Sequence, residues 1–205
     1  WNWRGFWDFG TGALGDMACH IMDPLYWALD LKYPISVSAS STIANLYSPP
    51  QAEIVTYKFP ARPPKGNVNM PELTVHWYDG GLLPERPEEL KDGEMMGDSN
   101  GGIILVGTKG KIMTGCYGMN PTLLPLSRMD YFKQPEPTIP RVKGGNGDIW
   151  SSNAHEQDWI RAAKESPENR VESTSNFSFS GPFNEMVVMG VLATRLSGLQ
   201  GLHRE

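Results

Sequence analysis

Residues 10–30 read GTGALGDMACHIMDPLYWALD, a glycine-rich loop running into an apolar segment that carries acids and a histidine. At 3.6 residues per turn, Asp16, His20, Asp23 and Trp27 fall on one stripe of a helix. Met17, Ile21, Leu25, Ala28 and Leu29 take its flanks and its other side, where a core would lie. Ionisable groups on an otherwise apolar helix are uncommon in a purely structural element. Chemistry is expected to start here.

The glycines decide the fold. Gly10, Gly12 and Gly15 match GxGxxG, and Asp30 stands twenty residues after Gly10. A dinucleotide cradle, however, needs a buried strand before the glycines and a second strand carrying the acid. Residues 1–9, WNWRGFWDF, show no strand period, and Asp30 lies inside the helical pattern. The match is therefore accidental as a phosphate cradle. The glycines are expected instead to let a substrate or a neighbouring domain approach the backbone closely.

The helix should start near Leu14. Pro24 offers no N–H to the carbonyl of His20 and disfavours helical torsions at Asp23. Either the helix kinks there or Asp23 caps a second one; a single kinked helix ending near Asp30 is the expectation.

Further on, Ile35–Leu46 alternates apolar and hydroxyl residues, and Ala52–Phe59 and Glu72–Asp79 do likewise. Pro60–Gly66 joins the last two. Leu82–Gly102 reads as a long surface loop. Gly102–Gly115 is a hairpin about a Thr-Lys-Gly turn, and residues 116–150 read as mostly irregular. A helix is expected from Asn153, with Glu156 closing a capping box, to Ser166. A last helix should open with Pro182 in its first turn. Strands in one block, flanked by helices, predict an α+β domain with an open-faced, mainly antiparallel sheet covered on one face by helices and no Rossmann domain.

The chain has 205 residues, a net charge of −5 and no basic cluster, which argues against a nucleic-acid partner. No apolar run reaches the roughly 18 residues of a membrane span. Cys19 and Cys116 have no metal or disulfide spacing and read as buried thiols. The sequence opens at Trp1 within an aromatic run and stops at Glu205 soon after a helical pattern. It is expected to be a piece of a longer polypeptide, with any signal region and hence the compartment outside it.

Asp16 and His20, four apart, can form an acid/base pair: a histidine that titrates near neutrality, oriented by a carboxylate. The same spacing also suits a polar pair that ties the helix to a loop. Asp23 could complete a metal set, but only His76, His155 and His203 remain as further ligands, and no metal is expected. His155 beside Glu156 suits a solvated helix start. His76 and Tyr78 share one strand face, an arrangement more often packing than a sugar platform. Asn176-Phe177-Ser178 fits a glycosylation sequon without further support.

Gly10–Asp23 resembles the helix-opening motif of the Gfo/Idh/MocA oxidoreductases, in which a glycine turn precedes Asp-x-x-x-His-x-x-Asp. Trp77–Gly81, the hairpin followed by Cys116-Tyr117-Gly118, His155-Glu156…Asp158-Trp159 and Gly181-Pro182…Glu185-Met186 are similar to a sugar-related branch, so the likeness spans nearly the whole chain. The resemblance implies an N-terminal Rossmann domain binding NAD or NADP, here missing, and a C-terminal, dihydrodipicolinate-reductase-like α+β domain, which is this chain. The family's Glu-Lys-Pro lysine and its final strand have no counterpart here. By the match, His20 and Asp16 are the catalytic pair that moves a substrate-hydroxyl proton during hydride transfer. Asp23, Gly12, Asp8, Tyr78 and His155 are candidate substrate contacts. The substrate would be a small sugar or cyclitol, no cofactor is expected on this chain alone, and the open sheet face would join copies into a homo-oligomer. An NAD-dependent glycosidase and a non-catalytic sugar-binding or assembly module are the alternatives.

Overall fold

The computed structural model describes residues 2–43, 45–139, 141–142 and 153–202, with side chains as far as residue 198. The chain divides into two compact units, Trp1–Phe132 with Phe183–Glu205, and Lys133–Pro182.

In the first unit, α1 (Gly12–Ala28) precedes β1 (Ser36–Ser41), β2 (Glu53–Phe59), β3 (Arg62–Lys65), β4 (Val68–Met70), β5 (Leu73–Tyr78), β6 (Gly102–Gly107), β7 (Gly110–Gly115) and β8 (Thr122–Leu124). Beyond them lie α2 (Ala154–Lys164), in the second unit, and α3 (Phe177–Leu202), which enters the first unit at Phe183. Every described strand pair is antiparallel and no barrel closes, so the fold is α+β as the block of strands predicts. Hydrogen bonding divides the strands into three sheets, β1-β2-β5, β3-β4 and β6-β7-β8.

α1 is one helix through Pro24, and it begins two residues before the expected Leu14. It buries Leu14, Ala18, Met22, Leu25 and Tyr26, at the three- and four-residue spacing of a core face. Its end is a Schellman turn. Asp30 takes a left-handed backbone (φ 47°), its N–H donates to the Trp27 carbonyl, and that of Leu31 donates to the Tyr26 carbonyl. Asp30 is thus a helix terminator, not an acid on a second strand.

β2 buries Glu53, Val55, Tyr57 and Phe59, and β5 buries Val75 and Trp77. Against this face pack α1 and α3: a side chain at Gly190 would meet the Tyr57 hydroxyl and Leu14 Cδ2. α3 contributes Phe183, Met186, Val187, Val191 and Thr194, again at helical spacing. The other sheet face carries Ser38, Thr56 and His76 in one row and Ser40, Ile54 and Tyr78 in the next. β1 stops at Ser41 because the Thr42 hydroxyl turns inward, donating to the Ala52 carbonyl and accepting from the Gln51 and Ala52 amides.

Three elements escape the alternation rule. β3, inside the expected linker Pro60–Gly66, forms a ribbon with β4 just beyond it; Pro63 and Pro64 are tolerated because a two-stranded ribbon has free edges. β8 adds a third strand to the hairpin within the stretch expected to be irregular, part of which (140 and 143–150) lies outside the described residues. α3 starts at Phe177, five residues before Pro182, because Asn176 caps it: Asn176 Oδ1 accepts the Phe179 N–H at 3.0 Å. Asn153, by contrast, makes no side-chain cap bond, so the expected capping box does not form.

The stretch between β5 and β6 is a loop, as expected, but not a free one. Leu90 is buried with Met113 and Leu124, and beside it Glu89 pairs with Lys111 at 2.7 Å.

The second unit is held by Asp158, which is buried on α2. It accepts from the Thr174 amide (2.7 Å) and hydroxyl (3.1 Å) and from the Arg161 guanidinium (2.9 Å).

Candidate active site

The site is built on the polar stripe of α1. Gly10, Gly12 and Gly15 come first, and the chain itself occupies the space at each. A Cβ on Gly10 would collide with the Arg4 backbone, one on Gly15 with the Thr11 side chain, and one on Gly12 (φ 73°) would stand 2.8 Å from Pro49. These glycines serve close internal packing rather than the approach of a ligand. The segment before them is a 3-10 turn, Asn2–Gly5, not a strand. A pyrophosphate cradle does not fit here.

The packing of Arg4 on Gly10 also sets its side chain. Arg4 Nε lies 3.4 Å from Asp16 Oδ1, with both groups about one-third exposed. Asp16 is thus paired with Arg4, and no hydrogen bond joins it to His20. The aromatic run that carries Arg4 is partly tied down: the Trp7 amide donates to the Tyr47 carbonyl, and Arg195 lies 5.3 Å from the Trp7 ring centroid. Trp3, Phe6 and Phe9 remain exposed.

One turn after Asp16, the half-exposed His20 meets the ring of Tyr117 edge-on, centroids 5.1 Å apart at 65°. A turn further on, Asp23 is half-buried, and burial pushes its carboxyl above the ordinary carboxylate range. Cys19, on the same helix, is exposed rather than buried as expected, whereas Cys116 is buried.

Tyr117 belongs to the 3-10 turn Cys116–Gly118 that follows the hairpin. That turn is held against α1: a Cβ on Gly118 would come within 3.0 Å of the Pro24 ring, and one on Gly101 within 2.9 Å of Ile21. Asp98 fixes it from the other side, accepting the Cys116 N–H at 2.9 Å.

Asp8 is exposed just before the glycine loop, and Gly12 is buried under Pro49. Tyr78 stands on the sheet face opposite Val55, Tyr57 and Trp77, its ring 6.2 Å from His76, which shares a 3.0 Å hydrogen bond with Thr56. His155 is exposed in the first turn of α2, in the second unit, and His203 lies outside the described residues. Among the described residues, no three His, Cys, Asp or Glu side chains gather closely enough to hold a metal ion. Among them also, no helix is long and apolar enough to cross a membrane.

The stripe Asp16, His20 and Asp23 was legible from periodicity. Arg4 and Tyr117 were not, since neither spacing nor residue type links them to it. The available signals were the resemblance carried by Cys116-Tyr117-Gly118 and the glycines around Tyr117, which mark a tight corner after the hairpin.

Residues 1–58 match the family model of the Gfo/Idh/MocA oxidoreductases, in the part described as the C-terminal alpha/beta domain. That span contains α1, β1 and nearly all of β2. No curated protein matches the chain.

Proposed function

We propose that this chain is the substrate-binding, proton-moving domain of a nicotinamide-dependent oxidoreductase that acts on the hydroxyl of a sugar or cyclitol. The observation that carries this reading is the polar stripe of α1, inside the segment that matches an oxidoreductase C-terminal domain. It places a half-exposed imidazole one turn from a carboxylate and one turn from a half-buried acid.

In this reading His20 takes a proton from the substrate hydroxyl, or returns one to the carbonyl in the reverse direction. Asp16, fixed by Arg4, lends the imidazolium a favourable field rather than a direct hydrogen bond. Asp23, half-buried one turn further on, accepts a hydrogen bond from a neighbouring sugar hydroxyl. Asp8, exposed just before the glycine loop, is assigned as a further substrate contact. The nicotinamide, NAD or NADP, belongs to a dinucleotide-binding domain outside these residues, because the glycine loop here is filled by the chain itself. The polar face of β1-β2-β5 is assigned to contact between copies of the chain.

The test is His20→Ala in the polypeptide that joins this chain to its dinucleotide-binding domain. Turnover should fall by about 10²–10⁴-fold. Turnover within a few-fold of wild type would refute the role.

A further inference from the structure

Tyr117 combines two features that packing alone does not explain. Its backbone is left-handed (φ 60°, ψ 16°), a conformation that bulky residues avoid and that glycine or asparagine adopts far more readily. Its side chain is 61% exposed, so burial of the ring does not offset that strain. Strained non-glycine backbone concentrates where the side chain has a task.

The surroundings over-determine the conformation. The Cys116 amide is held by Asp98 at 2.9 Å, and the Gly115 amide donates to the Met119 carbonyl at 2.8 Å. Gly118 is pressed on Pro24 of α1, leaving no room for a side chain. The corner is thus fixed at both ends and docked on the helix that carries His20. From it the tyrosine ring reaches His20 in an edge-on contact at 5.1 Å, a favoured geometry for ring pairs.

We propose that Tyr117 is a positioning residue of the His20 site: its ring, presented by a strained corner, holds the His20 imidazole in one orientation and walls one side of the space where the substrate hydroxyl binds. The role of the hydroxyl-bearing substrate rests on the function proposed above; the orienting contact does not. Asp16 and Asp23 are the charged groups on the same stripe of α1 as the imidazole. Each of them leaves the imidazole free to turn, because neither is hydrogen-bonded to it. Orientation therefore falls to the ring contact.

The test compares Tyr117→Phe, Tyr117→Asn and Tyr117→Gly. In the 205-residue chain with labelled histidine, NMR should show one His20 rotamer in the wild type and in Tyr117→Phe. Tyr117→Asn and Tyr117→Gly should lose the ring-current shift of the His20 protons and average its side-chain couplings. Melting temperatures of these two should stay level or rise, since both residues suit the left-handed backbone. Joined to the dinucleotide-binding domain, Tyr117→Asn should lower kcat by about 10- to 100-fold, and Tyr117→Phe should restore it. An unchanged His20 rotamer in folded Tyr117→Asn or Tyr117→Gly overturns the proposal. Should His20→Ala keep its turnover while the His20 ring still loosens in Tyr117→Asn, the enzymatic reading fails and the positioning contact stands.

Discussion

The carboxyl of Glu53 on β2 accepts a hydrogen bond from the hydroxyl of Thr194 on α3, inside the core and across 141 residues of sequence. Asp79 stands on the other side: its Oδ1 accepts the Glu53 amide at 3.0 Å and its Oδ2 accepts the Trp77 indole N–H at 2.8 Å. Burial pushes the Glu53 carboxyl up to about 7, the Asp79 charge adds to this, and the Thr194 bond works against it.

A pH dependence of stability follows from that shift. The folded state holds the Glu53 proton more tightly than the unfolded chain, whose value is 4.5. The contribution is complete below pH 4.5 and is lost as the pH rises through about 7. It amounts to about 3 kcal/mol, or several degrees of melting temperature. Scanning calorimetry from pH 5 to 8 should show this decline, and Glu53→Gln should flatten it.

Tyr57 is fully buried two inward-facing positions along β2 from Glu53, and its hydroxyl has no hydrogen-bond partner among the described residues. Tyr57→Phe should therefore raise stability by about 1 kcal/mol. Gly190→Ala should do the opposite, by about 1–3 kcal/mol, because its methyl would enter the Tyr57 hydroxyl despite alanine's better helix propensity. In the double variant the loss should shrink, and urea unfolding of all four proteins closes the cycle.

Calorimetric titration of this chain with NADH should give no saturable heat up to about millimolar concentration. Gly12→Ala should leave that result unchanged while lowering the melting temperature, since the residue is left-handed and packed on Pro49. Saturable binding would reverse the assignment of the glycine loop.

In the second unit, burial works to raise the Asp158 carboxyl, but the Thr174 and Arg161 hydrogen bonds outweigh it and hold the group low. Asp158→Asn should speed hydrogen exchange at the Thr174 amide by about 10- to 100-fold. The exchange of α1 amides measured in the same sample provides the internal reference.

What the sequence made legible was periodic. α1, the core faces of β2 and β5, and the β6–β7 hairpin follow from apolar spacing, which reports burial directly. What it concealed was non-local. Arg4 on Asp16, Tyr117 on His20 and Thr194 on Glu53 depend on how distant segments dock, and no local rule encodes docking. Two errors were local in origin. The GxGxxG spacing cannot tell a glycine that makes room for a ligand from one that makes room for Pro49. Pro182 suggested a helix start, but Asn176 already supplied a cap.

The anchoring of Leu90 changes what the segment between β5 and β6 can do. A loop fixed only at its ends wanders as a whole, but one pinned near its midpoint behaves as two short tethers, each with little slack. The second tether ends in the Asp98–Gly101 bridge, which bears on Ile21 and on the Cys116 amide. It acts as a strut, so the height of the Tyr117 corner above α1 is set partly by a leucine packed on Met113 and Leu124.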